Sequence, residues 1–410
     1  MNKKIFIIGA GLSGLAAAIT LEKAGFSPVI FESTSKAGGR IKTDIFEGYQ
    51  LDHGFQVLLD AYPKALEYFD YKELELQKIL PGAILFYKGR SVAIGDPSRH
   101  PGFLFTTILS GVAGVKDVYR LLVLYRDLQK MTDEEIFSSE EMSTLNFLKK
   151  RKFSNGLIAK FFKPFFSGIF LEPDLKTSCR MFQFVFKMFA RGSAVIPKAG
   201  MGALAEQLVK KLEKTEIHYN SRVERVSDGE VWLQSGEKYK ADAIVVAAEP
   251  GILSASAEPS ELKWNSCETL YFEVDRRTIK KPIIGLVRDP NAIINNIFYH
   301  TSISCAHKGE KELLSVTIVK DHNLTKEDLI TQVIEELKVY CKIDKVDFLK
   351  HYQIKRALPS LESLKAQWPG NIGKAGKSIF LAGDHLLYAS SNAALISGEG
   401  AAKAVIEKLR

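Results

Sequence analysis

A chain of 410 residues, 46% hydrophobic and 25% charged, can bury two substantial cores, and this balance excludes an intrinsically disordered or fibrous protein. The net charge of +8 is moderate, and its lysines and arginines are scattered without a nucleic-acid-binding motif, so the excess reads as solvated surface or attraction to anionic lipid rather than a nucleic-acid partner. Cys179, Cys267, Cys305 and Cys341 lie far apart with no Cys-x-x-Cys pair, which excludes a disulfide framework or a cysteine zinc site; they read as reduced thiols, and no metal is expected. No run reaches the roughly twenty apolar residues of a membrane-spanning helix. The lysines at 3 and 4 precede an apolar run that glycines interrupt at once, so the N-terminus reads as the mature start of a cytoplasmic protein.

The first element is Ile5-Phe6-Ile7-Ile8, a short β-branched run suited to a buried parallel strand. Gly9-Ala10-Gly11-Leu12-Ser13-Gly14 follows, then a helical pattern over residues 15–24 and a second strand over 28–31 ending at Glu32. Strand, Gly-x-Gly-x-x-Gly, helix, strand and acid together form a complete dinucleotide-binding unit. Gly9 permits the tight turn, Gly11 a close approach to pyrophosphate, and Gly14 the packing of helix on sheet. The helix N-terminus offers free N–H groups to phosphate. Glu32 suits a ribose diol and repels a 2′-phosphate, which disfavours NADP.

The unit extends through Ser33 to Gly38-Gly39-Arg40, a second glycine pair with a cation for phosphate. With this Glu-x5-Gly-Gly-Arg extension the chain resembles the FAD-binding superfamily that includes monoamine oxidases, protoporphyrinogen oxidases and phytoene desaturases. The resemblance implies FAD as cofactor, with its AMP half on the first unit and its pyrophosphate and flavin beside the Gly-Gly-Arg loop. It also implies that Gly54, Phe55 and Gln56, after Asp52, pass close to the isoalloxazine ring. His53 reads either as a general base or as a structural histidine.

A helix is expected over 58–72 and a hairpin over 84–94, turning at Lys88-Gly89-Arg90. Residues 102–115 are apolar and rich in small side chains, and a basic helix over 119–131 follows; it reads as packed on the substrate-domain core, with a membrane surface as the other reading. Residues 133–150 read as charged and helical. The region around Phe161-Phe162-Lys163-Pro164-Phe165-Phe166, continuing through Phe189, holds more phenylalanine than one helix pair needs and reads as core plus an apolar pocket. It resembles the corresponding segment of protoporphyrinogen oxidases and carotenoid desaturases.

Ile196-Pro197-Lys198-Ala199-Gly200-Met201-Gly202 opens a helix over 203–212, and strands are expected over 217–219, 222–226, 231–233 and 243–248. The resemblance places the main chain of Val223 beside the adenine. Strands over 269–274, 283–287, 297–300 and 313–319 precede a helix over 326–340. Near the C-terminus, the strand over 378–382 ends at Gly383-Asp384, and a helix beginning near Asn392-Ala393-Ala394 runs to Leu409. In the resembled family these groups hold the ribityl-pyrophosphate and face flavin N1 and O2; Ala393 stands where relatives often have glycine.

The expected fold is thus α/β: a Rossmann-like FAD-binding domain (1–58, 196–260, 352–410) interleaved with an α+β substrate domain of antiparallel sheet and helices (59–195, 261–351). The FAD contacts implied are Gly9, Ala10, Gly11, Leu12, Ser13, Gly14, Glu32, Ser33, Gly38, Gly39, Arg40, Gly54, Phe55, Gln56, Val223, Gly383, Asp384, Asn392, Ala393 and Ala394. No catalytic side chain is assigned. The function implied is an FAD-dependent oxidoreductase (dehydrogenase, desaturase or oxidase) moving hydride to flavin N5 from an apolar, isoprenoid-like or tetrapyrrole-like substrate, with oxygen, a quinone or another acceptor completing the cycle. An amine oxidase is the alternative; no lysine lies in a motif that carries over an amine-oxidase role. A non-redox isomerase or a flavoprotein without turnover is a second alternative.

Overall fold

A computed structural model describes residues 3–95, 111–248, 262–370 and 373–410. The stretch expected to be apolar over 102–115 lies mostly outside these residues. A five-stranded parallel sheet, in the order Glu216–His218, Val29–Phe31, Ile5–Ile8, Ala243–Val246 and Ile379–Leu381, forms the first layer. Strand periodicity splits the first strand between two cores. Ile5 and Ile7 face the helices Leu12–Lys23 and Ser391–Leu409, whereas Phe6 and Ile8 face a three-stranded meander over Val223–Ser227, Glu230–Leu233 and Lys238–Lys240.

The two helices meet through glycine. A Cβ on Gly398 would lie 2.0 Å from the Ser13 carbonyl oxygen, and one on Gly14 would lie 2.0 Å from the Gly9 oxygen. Only hydrogen fits at either contact.

A second, seven-stranded sheet runs in the order Asp347–Pro359, Trp264–Val274, Glu312–Ile318, Ile294–Tyr299, Ile284–Val287, Gly82–Tyr87 and Arg90–Gly95. It is antiparallel except where Ile284–Val287 pairs parallel with Gly82–Tyr87. Leu270, Phe272, Val316, Ile318, Ile297 and their neighbours form a core under the helix Lys326–Glu336. The alternate positions, among them Thr269, Thr317 and Asn296, point to the other face. The strand Asp347–Pro359 belongs to this sheet over its whole length, so the division expected at residue 352 falls inside a strand; a division after Pro359 keeps the sheet whole.

Several elements differ from the sequence expectation. Over 58–72 only Pro63–Tyr68 is helical; Leu58–Leu59 is a strand paired with Ala194–Ile196, because partners distant in sequence override local propensity. The segment over 133–150 is two helices, Asp133–Ser138 and Thr144–Lys150, the second started by Ser143 as N-cap, one of the two caps, Ser143 or Thr144, that the sequence offers there. The phenylalanine-rich segment carries a π-helical turn at Ile158–Phe162 just ahead of Pro164, which has no N–H to continue an α-helical ladder. A second π-helical turn, Leu337–Cys341, ends the helix expected over 326–340. The helix expected over 119–131 spans Val115–Lys130; Leu124 and Leu128 are buried, while Val115, Tyr119 and Leu122 are exposed. No helix among the described residues is long and apolar enough to cross a membrane.

Candidate functional site

One cavity of about 1710 Å³ runs from the glycine fingerprint to the phenylalanine-rich helices. At one end lie Gly9, Gly11, Leu12 and Ser13, where the helix Leu12–Lys23 begins. Its N-cap, Gly11, makes no side-chain bond and the first turn holds no acid. The N–H groups and positive dipole there are free for an anion from outside the chain.

Glu32 is buried, and its carboxylate is already anchored: Oε2 accepts from the Ala10 N–H at 2.8 Å, and Oε1 from the Thr34 N–H at 2.9 Å and hydroxyl at 2.8 Å. These bonds hold the carboxylate at the cavity wall beside Ser33. The Gly-Gly-Arg loop folds against the fingerprint: the Gly38 N–H donates to the Ala10 carbonyl at 2.9 Å. Gly39, at φ +61°, lies so near that a Cβ there would stand 3.3 Å from Gly11 Cα. Two glycine backbones thus form one side of a cradle that any side chain would narrow.

Arg40 joins the ends of the chain. Its Nη2 donates to Asp384 Oδ1 at 2.5 Å, its Nη1 to the Ala357 carbonyl at 3.2 Å, and its guanidinium lies 5.3 Å from the Trp264 ring centroid. The Gly383 N–H is fixed by Ser397 Oγ at 2.9 Å. Gln56 donates to the carbonyls of Arg40 and His53, which sets the Gly54-Phe55-Gln56 loop beside the same clamp. Gly54, Phe55, Gln56, Gly383, Asp384 and Ala394 all line the cavity with Gly38, Gly39 and Arg40.

The remaining expected contacts lie behind the wall. Ala10 and Gly14 support it through the Glu32 bond and the helix packing. Asn392 is buried, accepting from the Lys64 N–H at 2.9 Å and donating to Tyr388 Oη at 2.6 Å. The Ala393 N–H is taken by Ser390 Oγ. Val223 packs its side chain between the sheet and the meander and does not line the cavity. His53 lines the cavity, with Nε2 2.8 Å from Asp44 Oδ2 and its ring 4.6 Å from that of Tyr352, whose hydroxyl also reaches Asp44. No local signal in the sequence points to Trp264; Thr34 carries one, two residues after Glu32, and Ala357 belongs to the Ala-Leu-Pro element over 357–359 that resembles the one preceding the last FAD motif of the family.

Asp52 anchors the preceding hairpin. Its carboxylate accepts from the Thr43 hydroxyl and the Met201 N–H at 2.9 Å, yet full burial pushes its pKa from 3.8 up to about 6. Between these values the unfolded chain releases the proton that the folded chain keeps, so stability falls by about 3 kcal/mol as pH rises through the window. Asp52→Asn keeps the acceptor and removes the charge. Urea denaturation should find it level with the parent at pH 4 and more stable by about 1–3 kcal/mol at pH 8. A loss at pH 8 would contradict the assignment.

The far arm is apolar. Phe162 and Phe182 are core, and Phe166, which also borders the cavity, closes on both, with ring centroids 4.7 to 6.1 Å apart among the three. Phe161, Phe165, Phe186 and Phe189 turn to the cavity. The aromatic run therefore serves both as core and as lining.

The model of the flavin containing amine oxidoreductase family matches residues 12–406. The chain belongs to that family. Its cofactor is FAD, and the cradle of free N–H groups, paired glycines and anchored Glu32 fits a dinucleotide pyrophosphate and ribose. Among relatives of this flavin oxidoreductase, 4,4'-diapolycopene oxygenase of Methylomonas sp is 26% identical over 64% of the chain and 59% of its own length. Protoporphyrinogen oxidase 2 of Arabidopsis thaliana is 26% identical over 41% and 32%, and an L-amino-acid oxidase of Bothrops moojeni 34% identical over 25% and 21%. The matches thus span about a fifth to three-fifths of these curated relatives. Among solved structures, cyclohexylamine oxidase of Brevibacterium oxydans superposes over the full length of both chains at a TM-score of 0.71 with 14% identity, which shows the shared fold. The four cysteines are free thiols, and no metal-binding group of side chains occurs among the described residues.

Proposed function

We propose that this flavin oxidoreductase oxidises an apolar substrate, isoprenoid-like or tetrapyrrole-like, held in the phenylalanine-lined arm of the cavity. The observation that carries the reading is the continuity of that arm with the dinucleotide cradle in one cavity of about 1710 Å³, larger than the roughly 300–1,000 Å³ of a typical single-ligand pocket. FAD supplies at N5 an acceptor for hydride. The chain contributes burial of the substrate, its orientation and the exclusion of water by Phe161, Phe165, Phe186 and Phe189. The relatives named for diapolycopene and protoporphyrinogen support an apolar substrate.

Amine oxidation is the second reading, supported by the L-amino-acid oxidase match and the cyclohexylamine oxidase fold. Against it, Glu141 and Asp174 on the apolar arm are 37% and 49% exposed at its rim, and the half-buried Glu172 already accepts from the Asp174 N–H and from the Thr177 N–H and hydroxyl, so a buried ammonium would meet no uncommitted buried anion among these three. The buried Lys187 is committed to Asp133 at 2.6 Å and the Met131 carbonyl at 2.7 Å, away from the cavity lining. On the first reading, Val115, Tyr119 and Leu122, beside the cavity-lining Val118 and Leu121, give a membrane surface a place to deliver an apolar substrate.

Holoprotein mixed anaerobically with a polyene, a porphyrinogen or a primary amine separates these readings by the bleaching of its visible flavin band. Polyene or porphyrinogen should bleach it and amines should not. Bleaching by amines alone would overturn the proposal. Binding of an apolar ligand with no bleaching would favour a flavoprotein without turnover. Reoxidation with oxygen or a quinone then identifies the acceptor.

A further inference from the structure

We propose that Asn296 and Thr317 form a recognition pair for one oxygen-bearing group, a hydroxyl or a carbonyl, on the otherwise apolar substrate; the inference rests on the apolar-substrate reading above. The two residues are direct partners on adjacent strands of the seven-stranded sheet, Ile294–Tyr299 and Glu312–Ile318. Both line the cavity, although only 2% and 3% of their surfaces remain accessible. Their neighbours on the same strands, Ile297, Val316 and Ile318, turn the opposite way into the core under the helix Lys326–Glu336. An apolar residue at either position would complete an apolar wall, since Leu286, the register partner of Asn296 on its other side, also lines the cavity.

The pair is incompletely satisfied. Asn296 Nδ2 donates to Thr317 Oγ1 at 3.2 Å, which occupies one amide hydrogen and one lone pair of the hydroxyl. Asn296 Oδ1, its second amide hydrogen and the Thr317 O–H are then left facing the cavity with no partner among the described residues. Next in the same row, Thr269 Oγ1 is buried and also unpartnered.

Two nearby asparagines show the contrast. Asn265 Nδ2 donates to the Phe170 carbonyl at 2.8 Å, and Asn295 Nδ2 to the Pro164 carbonyl at 3.2 Å, so both pin the helix Lys163–Phe170 to the sheet. Asn296 makes no such tie. Above the strand the helix presents Gly168, where a Cβ would stand 2.7 Å from Asn295 Oδ1 and 3.2 Å from Asn296 Oδ1, so any side chain there would crowd both amides. Buried donors and acceptors of this kind favour a ligand that completes their bonds and disfavour an isostere that leaves them unmade. A donor and an acceptor side by side suit a hydroxyl, which can both accept from the amide and donate to Oδ1, and also suit a carbonyl accepting from Nδ2 and the Thr317 O–H.

The test uses FAD-loaded protein and a matched pair of probes, all-trans-farnesol and the hydrocarbon β-farnesene, titrated through the flavin difference spectrum. The parent should bind the alcohol at least about tenfold more tightly than the hydrocarbon. Thr317→Val, which preserves shape, and Asn296→Leu should each cut that ratio to about threefold or less, mainly by weakening the alcohol. Equal binding of the two probes by the parent would overturn the recognition pair and leave the apolar-substrate reading standing. An unchanged ratio in a folded Thr317→Val protein would do the same, even if Asn296→Leu failed to fold. A fall in FAD retention with an unaltered ratio would assign the pair to the cofactor and equally overturn the proposal. Binding of neither probe would remove the recognition pair and count against the apolar-substrate reading with it.

Discussion

Gly398→Ala should destabilise the protein by about 3 kcal/mol and strip most of its flavin. The added Cβ would meet the Ser13 carbonyl oxygen at 2.0 Å, its carbon at 2.8 Å and Ala16 Cβ at 3.1 Å. All three belong to the buried helix Leu12–Lys23, so no flexible side chain can yield. The two helices must separate, and the helix that moves is the one whose N-terminus forms the phosphate cradle. One methyl group therefore acts on both stability and cofactor retention. Urea denaturation and the ratio of visible to ultraviolet absorbance after purification measure the two effects. Gly156→Ala is the control, because the nearest atom to its new Cβ, Ser154 Oγ, is 3.7 Å away. Parent-like flavin content in Gly398→Ala would show that the helix contact does not govern the cradle.

The second large effect is expected at the Arg40–Asp384 pair. Arg40→Ala leaves the Asp384 carboxylate, 5% exposed, without its cation, while the Arg40 side chain is 39% exposed. Stranding a fully buried charge costs about 3–5 kcal/mol; solvent around the guanidinium reduces this to about 2 kcal/mol here. Because Arg40 also holds the Ala357 carbonyl, FAD affinity should fall by at least about tenfold as the clamp loosens. Adding Asp384→Asn to Arg40→Ala removes the stranded charge and should recover part of the stability. Denaturation of the four proteins of this double-mutant cycle gives the coupling directly. Additive effects would show that the contact carries no energy of its own.

The sequence made the parallel sheet and the cradle legible for a physical reason. Gly9, Gly11, Gly14, Gly38 and Gly39 are set by backbone geometry, and such constraints appear as residue type at fixed spacing. Glu32 was readable for the same reason, although its ties to Ala10 and Thr34 were not. Asn392 enters through the resemblance, by the backbone groups at a helix N-terminus; the ties of its side-chain amide to Lys64 and Tyr388, over 300 residues away and four residues away respectively, were not legible. The polar row of Asn296, Thr317 and Thr269 left no trace in the sequence. Each residue is an unremarkable strand position, and only the register of three strands brings them together. The phenylalanine run was legible as apolar surface; which rings became core and which lining depended on the π-helical turn before Pro164, whose phase periodicity does not reveal.

The close seat of Ser391–Leu409 on Leu12–Lys23 also bears on how the chain is made. The first strand-helix-strand unit leaves the ribosome long before the helix Ser391–Leu409 that covers it, which follows more than 340 residues later. At about 5–20 residues per second, that interval is on the order of 20–70 s. Throughout it, the apolar faces of Ile5, Ile7 and Leu15 lack their final cover. Sequence-distant closure of this kind makes folding slow and places assembly of the cradle among its last steps. A nascent chain of this protein should therefore lean on holding chaperones until the last helix docks, and cofactor capture should coincide with that docking.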